Sequence, residues 1–247
     1  MVNRSYKRFW EIDSLRGIAV VMLIVFHFLY DLNHFDIYNI DLYSGYFLIY
    51  VYFAASLFLL LVGISLSLSF TRAEKVLTKK ELQLKYLKRG LKIFGLGLLI
   101  TLVSWLYLVE GFVVFGVLHC IGISIVLSYP FLRFRYQNLL FGIVFIFAGI
   151  ILKTLTFDFN WLIWLGFKPS QFYTIDYFPL LPWFGVVLIG IFLGNSLYPN
   201  FKRIFRLKDH SRLNVIRFFC FLGRHSLIIY FVHQPIMLAV IHLIFLL

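Results

Sequence analysis

Seven stretches of this chain are apolar over the 20 or so residues that a helix needs to cross hydrocarbon: 14–35, 46–70, 91–109, 112–130, 138–156, 179–198 and 218–247. A backbone crossing a bilayer must satisfy its own amides, so runs of this length fold as helices. The chain is therefore read as an all-α integral membrane protein, a bundle of about seven transmembrane helices. Composition agrees: 62% of the residues are hydrophobic and only 14% charged, far from the balance of a water-soluble domain. No small-residue cleavage site follows the first run, and its apolar length exceeds that of a signal peptide, so it is taken as a working helix.

Orientation follows from the basic residues, which stay on the cytoplasmic side of the spans they flank. Arg4, Lys7, Arg8 and Arg16 stand at the start of the first run, eight more lie in 71–92, Arg133 and Arg135 follow the fourth, six lie in 202–217, and Arg224 stands near the start of the seventh. All but Lys153 and Lys168 of the 23 Lys and Arg thus fall on one side. The expected topology has the N-terminus cytoplasmic and the C-terminus outside, in the cell membrane. The net charge of +12 sits in short juxtamembrane segments, where it meets anionic head groups of the lipid bilayer, and nucleic acid is excluded as a partner. Cys120 and Cys220 fall within apolar runs and form no CxxC pair, which removes a redox or zinc signature. No repeat or long linker divides the chain, so 1–247 is read as a single transmembrane domain.

The first run carries polar groups that lipid does not tolerate. At 100° per residue, with Asp13 at zero, Arg16 falls near about 300°, His27 about 320°, Asp31 about 0° and His34 about 300°. The five share one face. At about 1.5 Å per residue, Arg16 to His27 spans ~16 Å and His27 to His34 ~10 Å. Ionisable groups in a span usually face a bundle interior or an aqueous path. A bland alternative is that His27 and Asp31, four residues apart, form a local pair that fastens the helix to its neighbours. His27, Asp31 and His34 could also reach one zinc ion, but no Cys-rich or HExxH signature accompanies them, and no metal is assigned.

Other polar groups sit at similar depth. His119 in "VLHCIG" lies ~10 Å inside the fourth run, close to the level of His27, and is either a partner of His27 or a core histidine bonded to a neighbouring helix. The aromatic segment 156–178 contains Asp158 and Asp176, with Trp161 and Trp164 as interfacial belt residues or, with the carboxylates, as a platform for sugars and amines. Pro179 suits a helix start, and Pro182 one turn later predicts a bend. Pro235 predicts a kink just after His233, leaving carbonyls free beside that ring.

The run "RFWEIDSLRGIAVVMLIVFHFLYDL" resembles the first transmembrane segment of the heparan-alpha-glucosaminide N-acetyltransferase catalytic-domain family, most closely its short prokaryotic members. The shared positions are Arg8, Asp13, Arg16, Gly17, Ile18 and Ala19, with a polar residue eleven places past Arg16. The last run is similar at Gly223, Ser226, Tyr230 and His233, and "DYFPLLPWFG" is similar to an internal segment. The resemblance implies an enzyme that takes acetyl from cytoplasmic acetyl-CoA and delivers it across the membrane to the amine or hydroxyl of an amino sugar or glycan. One departure matters. In the lysosomal relative an asparagine stands in the slot of His27 and the histidine assigned to catalysis lies slightly later, so here the base falls to His27 or to His34.

On that footing His27 is expected to act as base, oriented by Asp31, with His34 as its competitor or an acceptor-side partner. Arg16, Arg89, Lys92 and Arg224 are expected at the CoA phosphates, with Asp13 holding Arg16. His119, Asp176 and His233 are expected on the acceptor side. The 91–109 and 112–130 spans either pack within one protomer or form the seam of a homodimer. The rival reading is a proton-coupled transporter or flippase with a His/Asp relay in the first helix.

Overall fold

A computed structural model describes residues 8–246 apart from positions 40, 43 and 109. Every regular element among the described residues is helical: α1 (Trp10–His34), α2 (Gly45–Ala73), α3 (Lys79–Tyr107), α4 (Val117–Leu127), α5 (Tyr136–Lys153), α6 (Leu180–Leu197), α7 (Asn214–Arg224) and α8 (Ser226–Ile241). Six helices are long and apolar enough to cross a membrane, and α4 is a shorter apolar helix. The chain is a multi-pass membrane protein. Arg4 and Lys7 lie outside the described residues.

Three boundaries differ from the hydropathy reading, each for a local reason. Helix α3 begins at Lys79, well before the apolar run, because Thr78 and Glu81 cap it reciprocally: Thr78 N–H donates to Glu81 Oε2 at 2.8 Å, and Glu81 N–H to Thr78 Oγ1 at 3.4 Å. Arg89 and Lys92 consequently sit exposed on a helix. Helix α4 is shortened because the chain before it pairs with the loop before α6: Ile175 N–H donates to Gly111 O and Phe178 N–H to Phe115 O, both at 2.9 Å. The last apolar run breaks at His225, which has φ −103° and ψ 13°, whereas α8 carries Pro235 inside it. The bend expected at Pro182 is present, as Leu181 leaves helical geometry with φ −97° and ψ 121°.

The chain forms two compact units. The first is built from its two ends, up to Leu61 and from Leu207 onward, and the second is Val62–Arg206. In the first, α1 packs on α7 and α8. A Cβ on Gly17 would strike the Phe219 carbonyl, and one on Gly223 would strike that of Asp13, so these glycines let two backbones touch. The Cys220 thiol donates to Trp10 O at 3.2 Å. Asp13 lies beside Gly223 at one end and Asp31 beside Gln234 at the other, so α1 and the α7–α8 pair run in the same direction. Tyr50 of α2 donates to Met22 O at 2.8 Å.

In the second unit, Gly142 and Gly185 bring α5 against α6, each facing the other's carbonyl, and between α3 and α4 Gly90 faces the Gly122 carbonyl while Gly122 faces the Phe94 backbone. The 91–109 and 112–130 spans therefore pack within one protomer. Ser67 donates to Asn195 Oδ1, and the Asn195 amide donates to Leu132 O at 3.1 Å and Phe134 O at 2.7 Å. Such bonds satisfy polar groups that hydrocarbon would leave unpaired.

Candidate functional site

All five residues of the polar stripe lie on α1. At its N-terminal end Arg16 Nη1 donates to Asp13 Oδ1 at 3.3 Å and to Gly223 O at 3.4 Å, so Asp13 holds Arg16 as expected. Arg224, the next residue along α7, is exposed and donates from Nε to Cys220 O at 3.0 Å. Two guanidinium groups thus stand at the same end of the first unit.

Some three to four turns of α1 further on, the arrangement differs from the expected local pair. Asp31 is 3% exposed, and Gln234 Nε2 of α8 lies 2.8 Å from Oδ1 and 3.0 Å from Oδ2. The neighbour of the His27 ring is His233, with centroids 5.0 Å apart and planes at 63°. No hydrogen bond or ion pair joins His27 to Asp31 among the described residues. Asp31 is spoken for by α8, and so is His27.

His233 is 7% exposed, and its Nδ1 lies 2.7 Å from Tyr230 O. A carbonyl only accepts, so the proton is assigned to Nδ1 and the lone pair to Nε2. That Nε2 is buried with no hydrogen-bond partner. A neutral imidazole fixed this way presents an unshared lone pair at Nε2. His34, at the exposed end of α1, stacks on Tyr30 with centroids 6.1 Å apart and planes at 7°. Beside His233 lies a cavity of about 10 Å³, room for the centre of one water-sized group. Val20, Leu23, Ile24, Phe58, Ile229 and Tyr230 supply most of its wall.

The second unit holds His119 and Asp176, where both act on the N-terminus of α4. His119 is 2% exposed. Its Nδ1 accepts from Gly116 N–H at 3.2 Å. Its Nε2 lies 3.4 Å from Thr101 Oγ1, which itself donates to Val113 O at 2.7 Å, so Nε2 carries the proton. Both ring nitrogens are committed to the fold, as in the core-histidine alternative. Asp176 Oδ2 accepts from Val117 N–H at 3.3 Å, a carboxylate placed where the helix dipole favours it. Burial nevertheless pushes its pKa up to about 6, against the opposing effect of that hydrogen bond. Arg89 and Lys92 belong to this unit as well.

Sequence reasoning missed Gln234. Helical phase identifies a polar face on α1 but not the residue of α8 that meets it, and a lone glutamine beside Pro235 carries no motif. Among the described residues no three His, Cys, Asp or Glu side chains stand close enough to hold a metal ion.

Residues 8–235 match the family model described as heparan-alpha-glucosaminide N-acetyltransferase, catalytic. The match covers nearly the whole chain and runs through both compact units. No curated protein and no solved structure matches the chain.

Proposed function

Since this chain belongs to the heparan-alpha-glucosaminide N-acetyltransferase catalytic family, a family of membrane acetyltransferases, we propose that it takes acetyl from cytoplasmic acetyl-CoA. The acceptor is the amine or hydroxyl of a sugar on the opposite face. The observation that carries this reading is the facing pair His27 and His233, which brings an unengaged imidazole nitrogen into a membrane-spanning helix pair. Thioester acyl transfer needs a proton acceptor for the incoming nucleophile, and this pair supplies one.

In this reading the pair takes the acceptor proton, and Asp31, through Gln234, keeps α1 and α8 in the register that makes the rings face. His34 receives the acceptor at the end of α1. Arg16 and Arg224 bind the CoA phosphates from the end of the unit that the basic residues assign to the cytoplasm. His119 and Asp176 hold the loop that leads into α4. The single family match through both units supports treating the chain as one transmembrane acyltransferase domain.

The test is reconstitution with labelled acetyl-CoA and glucosamine-type acceptors. The expected result is transfer of label, with His27→Ala lowering turnover by about 10²- to 10⁴-fold while CoA still stabilises the protein thermally. Absence of both transfer and CoA stabilisation at millimolar CoA would favour the transporter instead.

A further inference from the structure

We propose that the second unit carries a binding site for an anionic phospholipid, its phosphate held among basic side chains at the α2–α3 end and its acyl chains laid along α3. The site stands apart from acetyl transfer and from the residues assigned to that reaction in the first unit.

The cations gather around an aromatic cluster and lack partners. Tyr86 of α3 stands 6.3 Å from Phe70 of α2 and 6.0 Å from Tyr129, ring centre to ring centre. Arg133 places its guanidinium carbon 5.8 Å from the Phe70 ring centre, and Arg72 stacks in the same way on Phe201 at 4.9 Å. Arg72 and Arg89 lie within electrostatic reach of both the Tyr86 hydroxyl and the Lys85 ammonium. Glu74 is the acidic group in reach of that hydroxyl, yet among the described residues no carboxylate pairs with Arg72, Lys85, Arg89 or Arg133. Unpaired like charges repel one another, and a bound anion relieves the repulsion.

The second observation is the Tyr86 hydroxyl itself. It is buried, and although Ser69 stands near it, it completes no hydrogen bond. Guanidinium and ammonium groups only donate, so none of the cations around it can accept the phenol proton. A phosphate oxygen accepts from the hydroxyl and from the cations alike.

What selects a lipid over a soluble phosphate is the continuation of the cationic face. At 100° per residue Lys85, Arg89 and Lys92 fall within about 60° of one another on α3, and Leu96, Leu99 and Val103 continue that face. Leu99 and Val103 are exposed. Charge thus gives way to apolar side chains along one line, over ~27 Å from Lys85 to Val103. A phospholipid has the same profile, head group first. Basic pockets between spans on the cytoplasmic side suit anionic head groups, and the basic residues assign this end of α3 to that side. Arg89 and Lys92, expected from charge at the CoA phosphates, serve the lipid phosphate in this arrangement.

The experiment titrates the full chain, purified in neutral detergent, with phosphatidylglycerol or phosphatidylcholine and follows the melting temperature. Inorganic pyrophosphate and CoA are titrated alongside. Phosphatidylglycerol should raise the melting temperature and phosphatidylcholine should not. Arg72→Gln and Lys85→Gln should each raise the midpoint phosphatidylglycerol concentration about fivefold, the gain typical of one basic residue at an anionic surface. Tyr86→Phe keeps the ring, removes the hydroxyl and should raise that midpoint about tenfold. Equal stabilisation by the two lipids, or unchanged midpoints in all three variants, would overturn the proposal. So would stabilisation by pyrophosphate or CoA that these substitutions weaken, since the cluster would then serve a soluble phosphate. The comparison of lipids in wild type decides the question even where a variant does not fold.

Discussion

The imidazoles of His27 and His233 face each other with centroids 5.0 Å apart, one from the first helix and one from the last. Because the two rings are in contact across α1 and α8, they should act as a unit. His27→Ala and His233→Ala are each expected to lower kcat by about 10²- to 10⁴-fold. The double variant should lose little more than the worse single one, since residues sharing one step are not additive. Steady-state kinetics on the three variants decide this, and full multiplicativity would separate the two rings functionally.

Gln234 bonds both oxygens of Asp31, so its removal leaves a buried carboxylate without its donor. Gln234→Leu should destabilise the protein by about 1–3 kcal/mol, measured as thermal unfolding in detergent. Gln234→Leu combined with Asp31→Leu should recover much of that loss, because the orphaned group is gone. Failure of the second substitution to rescue would show that the bond is not what stabilises the site.

The ends of this site differed in how far they were legible beforehand. Asp13 and Arg16 lie three residues apart on one helix, and charge pairs them, because a free carboxylate there would repel the phosphates expected at Arg16. Asp31 lies four residues from His27, and phase paired those two, yet α8 supplies a better donor to one and a ring to the other. Local spacing ranks contacts within a helix, whereas tertiary packing decides which are made. His119 illustrates the same limit. Its place three residues after Gly116 lets its ring accept the amide that opens α4, but an apolar setting hides a capping position. The break at His225 was equally hidden, since hydropathy stays high on both sides of it.

Gly17 and Gly223 set how closely α1 approaches α7. A methyl on either would meet backbone carbonyl rather than a yielding side chain. Gly223→Ala should therefore cost at least the ~1–3 kcal/mol typical of overpacking, and should also weaken CoA binding, because Arg16 loses its contact with the Gly223 carbonyl. Thermal unfolding and CoA titration on the same sample test both. A stable variant with normal CoA affinity would remove this crossing from the cofactor end of the site.

Asp176 makes stability depend on pH in a direction opposite to most carboxylates. Its pKa is raised from the ordinary 3.8 to about 6 by burial, so the folded protein binds this proton more tightly than the unfolded chain does. Stability then falls as pH rises wherever the unfolded state holds fewer protons. The contribution from this residue is fully present below pH 3.8, declines between there and about 6, and is gone above. Asp176→Asn keeps an oxygen for Val117 N–H but cannot ionise, so it should retain that stability at neutral pH. Melting temperatures of wild type and variant across this window should converge at the acid end and separate as pH rises, with the variant higher. Parallel curves would mean that Asp176 stays solvated enough to ionise freely, and its place at the start of α4 would then be that of an ordinary helix-terminal carboxylate.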